Sequence, residues 1–273
     1  MEPQLPLVGM AKEKQRLSLA FGTGDPLLVL GPQGSGKTRL IREALSGDRH
    51  VIYIAWEPTL HALLTAMARA LIAASHPDFL SHSGGPSGSG RDPEDWLAIQ
   101  TSIHLKGLLW TALESSPVPM VLDGIAGAGF PTYRFLQRIY HTHGMALFAT
   151  SRDVFSLGAL ARLFWNPTKA LNIPPLHERD AQLLFEAAAD YFKLRNLDLD
   201  EFREKVLESA CGNPGQIIEM SRLATQPQYL AGRYIKFAPL RIDAVMASWG
   251  RQSCLRTRFP ERPRRTWKGP AQP

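Results

Sequence analysis

The sequence predicts an α/β fold in which helices flank a parallel sheet and a small helical lid follows. Up to residue 173, short apolar runs typical of buried strands alternate with segments of helical periodicity. A glycine-rich loop separates the first of these strands from the helix after it. From residue 177 onward, helical segments follow one another with no strand between them, which indicates a separate helical unit.

Five continuous apolar runs bounded by turn residues predict the strands of the parallel sheet. They cover residues 26–30, 51–56, 118–122, 145–150 and 169–173. Helices are predicted between them, the clearest at Asp92-Pro93, where a capping Asp precedes a Pro at the first helical position. The helices of this part cover 38–45, 60–74, 93–114, 131–143 and 156–164, and those of the lid cover 177–192, 198–212 and 214–223.

Length and composition fit a globular protein with one large or two unequal domains, since the chain has 273 residues of which 44% are apolar and 21% charged. We predict a sheet domain over 1–174 and a helical lid with a C-terminal extension over 175–250. The N-terminus lacks a signal-peptide pattern, and the most apolar stretch is too short to span a membrane. Cys211 and Cys254 show no metal-ligand or redox spacing, so a cytoplasmic location is expected.

The positive charge is concentrated at the C-terminus. Seven of the 31 basic residues and one of the 25 acidic residues lie within 251–273, which leaves 24 of each sign in the rest of the chain. This proline-rich segment is predicted to be a basic, disordered tail. A solvated end is the interpretation that its composition favours, and contact with nucleic acid or another anionic partner is the alternative.

The glycine-rich loop carries a complete phosphate-binding motif. From Gly31 to Thr38 the chain matches G-x-x-x-x-G-K-[ST], with an apolar strand before it and a helix after it. The glycines let successive backbone N–H groups face an anion at the helix N-terminus, Lys37 supplies charge to the β- and γ-phosphates, and Thr38 offers a hydroxyl to Mg²⁺. The motif predicts a P-loop NTPase that binds ATP and Mg²⁺ through Gly31, Gly34, Ser35, Gly36, Lys37 and Thr38.

Asp123 follows the third apolar run and is the expected partner of Thr38 at the Mg²⁺ site, because carboxylates at the ends of parallel strands point into the ligand crevice. The alternative is that Asp123 only caps the following loop. Gly124 stands where a hydrolytic P-loop ATPase commonly has an acid that orients water, so slow hydrolysis is expected. Glu57, after the second strand, either supplies that function or only begins a helix.

Three further stretches resemble the AAA+/STAND group of P-loop ATPases, which includes NB-ARC-type switches and ATPases that assist replication and transposition. They are Val8-Gly9, Thr150-Ser151-Arg152 and Gly212-Asn213-Pro214-Gly215. The resemblance covers about residues 7–223. It implies that Val8 and Gly9 lie against the adenine, that Arg152 reads the γ-phosphate, and that Pro214 packs near the nucleotide.

The sequence departs from that group in the lid. Gly215 and Gln216 stand where many AAA+ proteins have an Arg, which favours the STAND side of the group. The segment around Arg162 resembles the one that carries an arginine finger acting on a neighbouring subunit's ATP; the alternative is an ordinary surface Arg. His141 and His143 lack a third ligand at a plausible spacing, so a helix-end interaction explains them better than a metal site.

The resemblance implies an ATP-binding switch with slow hydrolysis, in which ATP bridges the sheet domain and the lid through Lys37, Arg152 and Pro214. A DNA-associated helper ATPase that works as an oligomer is the alternative, with the basic tail on phosphates. A P-loop kinase is a third hypothesis, which the Thr-Ser-Arg and Gly-Asn-Pro-Gly motifs disfavour. A homo-oligomer and a DNA or protein partner are therefore left open, and no membrane partner is expected.

Overall fold

A five-stranded parallel sheet forms the centre of the computed structural model, which describes residues 5–45, 51–81, 90, 92–141 and 147–256. The strand order is β2-β3-β4-β1-β5, and every neighbouring pair is parallel. This arrangement confirms the predicted α/β class. The strands are β1 Leu27–Leu30, β2 Ile52–Ala55, β3 Met120–Asp123, β4 Leu147–Ser151 and β5 Ala170–Asn172.

Helices cover both faces of the sheet, which explains why its strands are continuous apolar runs. All four residues of β1 are buried, with Leu28 and Leu30 in one hydrophobic core and Leu27 and Val29 in the other. The helices of this domain are α1 Ala11–Thr23, α2 Lys37–Ala44, α3 Leu60–Ala73, α4 Pro77–Ser81, α5 Pro93–Ala98, α6 Ser102–Ser115 and α7 Phe130–Tyr140. Three 3₁₀ segments follow β4, at Phe155–Leu157, Ala159–Phe164 and Pro167–Lys169.

The lid is helical, as predicted, and it packs against one face of the sheet domain. It consists of α8 Glu178–Tyr191, α9 Asp200–Ala210 and α10 Pro214–Leu223. Phe185 and Ile217 of the lid are fully buried in the same core as Leu40 and Ile41 of α2. The lid and the P-loop helix therefore share one hydrophobic core.

The chain after the lid contains elements that the sequence did not predict. A two-stranded antiparallel hairpin, β6 Leu230–Ala231 and β7 Tyr234–Ile235, leads into a long helix, α11 Phe237–Arg256. The hydroxyl of Tyr229, just before the hairpin, donates to Asp243 of this helix at 2.5 Å. The helix includes the first six residues of the predicted tail, and 257–273 lie outside the described residues.

Two predicted helices have different structures. The single helix expected over 93–114 is divided into α5 and α6, because the side chain of Thr101 accepts a hydrogen bond from the backbone N–H of His104 at 3.3 Å and caps a new helix. The helix expected over 156–164 is instead made of short 3₁₀ segments. Residues 82–89 and His143 lie outside the described residues.

Candidate nucleotide-binding site

The candidate site lies at the carboxyl edge of the sheet, where β1, β3 and β4 end. The backbone N–H of Gly31, directly after β1, donates to the carbonyl of Ser151 at the end of β4 at 3.3 Å. Asp123 is the last residue of β3, the next strand along the sheet. The parallel order therefore brings the phosphate-binding loop and this carboxylate to one crevice, the usual ligand position in such sheets.

The loop has the backbone that an anion cradle requires. Gly34 and Gly36 have φ angles of 80° and 89°, which side-chain-bearing residues rarely adopt. Between them, Ser35 is 4% exposed, and its hydroxyl has no hydrogen-bond partner among the described residues. Helix α2 begins directly afterwards, so its N-terminal N–H groups face the loop and favour an anion there.

Lys37 is held across the loop by its ammonium group. The Nζ atom donates to the carbonyls of Gly31 at 2.8 Å and Pro32 at 2.9 Å. Burial lowers the pKa of Lys37, and the nearby charge of Asp123 opposes that shift. A partly desolvated cation at the mouth of the loop is a strong partner for a phosphate.

Asp123 connects two hydroxyls, one from helix α2 and one from strand β4. It accepts from Thr38 Oγ1 at 2.8 Å and from Thr150 Oγ1. Thr150 is fully buried and also accepts a hydrogen bond from the backbone N–H of Gly124 at 2.6 Å. The cluster thereby holds the Asp123 carboxylate at the end of β3 beside the Thr38 hydroxyl in the first turn of α2.

These residues fit an ATP·Mg²⁺ complex. The orphaned Ser35 hydroxyl, the left-handed glycines and the desolvated Lys37 suit a triphosphate, which supplies acceptors and negative charge. Hydroxyl and carboxylate oxygens are the ligand types that Mg²⁺ uses beside phosphates, so Thr38 and Asp123 are the residues that would hold it.

The lid is hydrogen-bonded directly to the phosphate-binding loop. The side-chain amide of Asn213 donates to the carbonyl of Gln33 at 2.9 Å, and the backbone N–H of Gly215 donates to the carbonyl of Gly34 at 2.9 Å. The approach is so close that a Cβ on Gly215 would lie 2.7 Å from the Cα of Gly34. Asn213 also caps α10, accepting from the N–H groups of Gly215 and Gln216.

A cleft of about 330 Å³ adjoins this contact. Its walls come from the P-loop, the linker after β5, the end of α9 and the start of α10, and its lining is largely apolar. Pro214 lies on its wall beside Ser35 of the loop. Its lining includes Pro32, Ser35, Ile173, Pro174, Ala210 and Pro214.

The N-terminal Val8-Gly9 pair lies against the beginning of the lid. Gly9 has a φ of 72°, and a Cβ there would lie 2.8 Å from a carboxylate oxygen of Asp180 and 3.1 Å from Leu176. The backbone N–H of Leu176 donates to the carbonyl of Gly212 at 2.8 Å. The N-terminal segment, the linker and the lid turn are thus contiguous.

Comparison with solved structures finds a similar architecture in other proteins. A Walker-type ATPase of Pyrococcus abyssi superposes with a TM-score of 0.60 at 15% identity, covering 95% of this chain and 79% of that one. The Aeropyrum pernix ORC1 protein in complex with DNA gives 0.60 at 17% identity, covering 94% and 70%. A STAND protein with a tetratricopeptide repeat sensor from Pyrococcus horikoshii gives 0.51 at 15% identity; the chain covers 33% of its length, with 89% of this chain aligned.

The chain has the α/β fold of the P-loop NTPases, with a helical C-terminal region. No protein-family model matches the sequence, and no curated protein matches it. The likeness therefore concerns the fold, and the roles of individual residues rest on the geometry of the site.

Two predicted arginines, Arg152 and Arg162, are exposed in the segment that follows β4. Arg152 is exposed directly after β4, and no hydrogen bond or ion pair of its side chain occurs in the part of the chain that the structure describes. Arg162 is exposed on the second 3₁₀ segment, 5.9 Å from the ring centroid of Phe130 and 6.0 Å from that of Tyr133. Their proposed nucleotide contacts remain predictions.

Two other predicted candidates differ in their surroundings. Glu57 is half-buried two residues after β2, and the N–H of Trp56 donates to the carbonyl of Asp123 at 2.8 Å, so Glu57 lies near the end of β3. His141 is exposed at the C-cap of α7. Among the described residues, no group of three or more His, Cys, Asp or Glu side chains suits a metal ion, and no helix is long and apolar enough to cross a membrane.

Sequence reasoning missed the positions of Thr150 and Asn213. Both belong to motifs that drew attention for a neighbouring residue, Arg152 in one case and Pro214 in the other. In the structure, Thr150 is hydrogen-bonded to Asp123, and Asn213 is hydrogen-bonded to the P-loop backbone. The short polar residue within each motif was the available signal.

Proposed function

We propose that this protein binds ATP·Mg²⁺ and acts as a nucleotide-dependent switch with slow hydrolysis. The observation that carries the proposal is the pair of hydrogen bonds from Asn213 and Gly215 of the lid to the P-loop carbonyls. Because the lid contacts the same loop that would hold the phosphates, a change in the loop backbone acts directly on the lid. Two discrete arrangements of such a contact are the basis of a switch.

The roles of the residues follow from their positions. Lys37 would pair with the β- and γ-phosphates, and the N–H groups of the loop and of α2 would donate to phosphate oxygens. Thr38 and Asp123 would hold Mg²⁺, which when bound neutralises phosphate charge. Arg152, directly after β4, would meet the γ-phosphate and so distinguish ATP from ADP.

The switch is tested by hydrogen exchange at the lid turn in both nucleotide states. The amides of residues 212–216 are expected to be more protected with ATP than with ADP, because only ATP engages Arg152. In Arg152→Ala that difference should disappear, and ATP affinity should fall more than ADP affinity, by about 10- to 150-fold for the loss of a charge-assisted hydrogen bond. Equal losses for both nucleotides would make Arg152 a general structural residue.

Slow hydrolysis is the second expectation, because Gly124 provides no carboxylate beside Asp123. Gly124→Glu is expected to raise turnover, since a Cβ at this position meets no atom within 4 Å and a side chain has room. The φ of 79° strains any replacement, so Gly124→Ala, which carries the same strain without the acid, is the matched control. A steady-state phosphate-release assay compares them; a wild-type rate already within about 1–100 s⁻¹ would point to another base, such as Glu57.

A DNA-associated helper ATPase that works as an oligomer is the second candidate. It is supported by the likeness to a solved ORC1 protein in complex with DNA and by the basic C-terminal segment. In that case Arg162 would act on the ATP of a neighbouring copy, and the homo-oligomer and DNA would be the partners. Turnover that rises with protein concentration and falls in Arg162→Ala would favour the helper over the switch.

A further inference from the structure

A separate surface at the N-terminal end of α7 combines exposed rings with cations. We call it the aromatic–arginine surface, and it consists of Phe130, Tyr133, Arg134, Phe155 and Arg162. Phe155 is 93% exposed and Phe130 46%. Rings this exposed contribute little to the fold, because they remain in water, and they mark a binding surface when they occur together.

The cations of this surface lie over its rings. The guanidinium carbon of Arg134 is 4.9 Å from the Phe130 centroid, and that of Arg162 is 5.9 Å from the same centroid. The rings of Phe130 and Tyr133 stack at 5.6 Å with an interplanar angle of 29°. A guanidinium on a ring is fixed in place, yet its N–H edges stay available for phosphate oxygens.

Phe155 is held next to this group by the backbone. It begins the first 3₁₀ segment, which is bonded to the loop before α7: the N–H of Gly127 donates to the carbonyl of Ser156 at 2.7 Å. The N–H of Ala159 donates to the carbonyl of Ala128 at 2.9 Å. These hydrogen bonds fix the turn that carries the exposed ring, so binding requires little further ordering of the backbone.

The sign of the charge indicates the class of partner. Helix α7 and residues 152–169 together contain five cations, Arg134, Arg138, Arg152, Arg162 and Lys169, and one acid, Asp153. Arg138 forms an ion pair with Glu114 of α6 at 2.5 Å, so three positive charges remain in excess. Residues 1–250 as a whole carry equal numbers of each sign, so this excess is local. The basic C-terminal segment has the same sign as the surface and is not its complement. A partner that offers both regularly spaced anions and flat apolar rings fits best.

We propose that the aromatic–arginine surface binds single-stranded nucleic acid, with Phe155 stacking on a base and Arg134 and Arg162 contacting phosphates. Base stacking on an aromatic side chain tolerates every sequence, because each base has a π-face. A duplex hides those faces, so the surface binds single strands in preference to duplexes. This site is distinct from the P-loop and from the C-terminal segment.

The test uses the full-length chain and a fluorescent oligothymidylate, with binding followed by anisotropy at two salt concentrations. Phe155→Ser is expected to weaken binding by about 5- to 30-fold, the lower part of the range for losing one stacked base. Arg162→Ala is expected to weaken it by about 10- to 150-fold, for the loss of one charge-assisted phosphate contact. Arg162→Ala should also reduce the salt dependence, by about 0.7 in the log–log slope per lost phosphate contact, whereas Phe155→Ser should leave the slope unchanged. An oligouridylate and a DNA duplex are the comparison ligands.

Matched controls remove an exposed apolar residue and an exposed cation elsewhere. Ile103→Ser replaces a side chain that is 86% exposed on α6, and Lys236→Ala removes an exposed charge before α11; both should bind as the wild type does. Wild-type affinity in both surface variants would overturn the proposal, as would a preference for duplex that does not depend on Phe155. So would variants that change the sedimentation of the protein but not oligonucleotide affinity, because the surface would then join two copies of the chain.

Discussion

Replacing Lys37 with Ala is expected to reduce ATP affinity by about thirty- to several thousand-fold, which corresponds to the loss of about 2–5 kcal/mol when one partner of a desolvated charge pair is removed. Burial has already lowered the pKa of this lysine, so its ammonium has given up much of its hydration. The Nζ atom now donates to the carbonyls of Gly31 and Pro32. Lys37 is the only basic residue in the loop sequence 31–38, so a phosphate bound by the loop would lose its nearest cation in this variant. Isothermal titration calorimetry with ATP and Mg²⁺ measures the loss.

The control for this variant is Lys236→Ala, which removes the same side chain from an exposed position before α11. Both variants should melt close to the wild type in the absence of nucleotide, because neither removes buried apolar surface. Unchanged ATP affinity in Lys37→Ala with an intact thermal transition would exclude the P-loop as the nucleotide site.

Those parts of the fold that depend on local pattern were predictable from the sequence. The apolar run of β1 is buried on both faces, and the glycine loop after it leads into α2 as the motif requires. The order of the strands was not predictable in the same way. It places β4 between β1 and β3, and this pairing of distant segments leaves no signature in any single one of them.

Helix boundaries were missed where one polar side chain outweighs the periodic pattern. The stretch from α5 to α6 keeps helical spacing throughout, but the Thr101 cap begins a new helix within it. The C-terminal helix α11 was missed for a different reason. Its apolar residues lie on more than one face, since Leu240 is buried whereas Ile242, Val245 and Met246 are exposed, so the sequence shows no single apolar stripe.

The candidate site was predicted residue by residue only where a motif names the residue. The contact of Asn213 with the P-loop joins positions 180 residues apart, and that of Thr150 with Asp123 joins two strand ends. Both contacts depend on where the strands and the lid meet in space. Sequence spacing therefore identified the candidate phosphate-binding loop. It did not identify Asn213, which contacts that loop, or Thr150, which contacts Asp123.

Asp123→Asn is expected to raise the Mg²⁺ concentration needed for half-maximal ATP binding by more than about 100-fold. Substitutions behind a metal ligand cost about 10–100-fold in metal affinity, and a direct ligand should exceed that range. Asn keeps the shape of the side chain and leaves one acceptor oxygen for Thr38 or Thr150, but it removes the charge that a hard cation requires. Titration of Mg²⁺ against a fluorescent ATP analogue at fixed protein concentration measures the shift.

Thr150→Val separates metal binding by Asp123 from a purely structural role. Thr150 is fully buried, and Val keeps its volume while removing the hydroxyl that donates to Asp123 and accepts from the N–H of Gly124. Both carboxylate oxygens remain, so this variant should lose thermal stability by about 1–3 kcal/mol for the unpaired N–H, with a small change in the Mg²⁺ midpoint. If its midpoint moves as far as that of Asp123→Asn, the carboxylate acts by ordering the loop and not by binding the metal. If only Asp123→Asn moves it, the Mg²⁺ site is where the Thr38–Asp123 hydrogen bond lies.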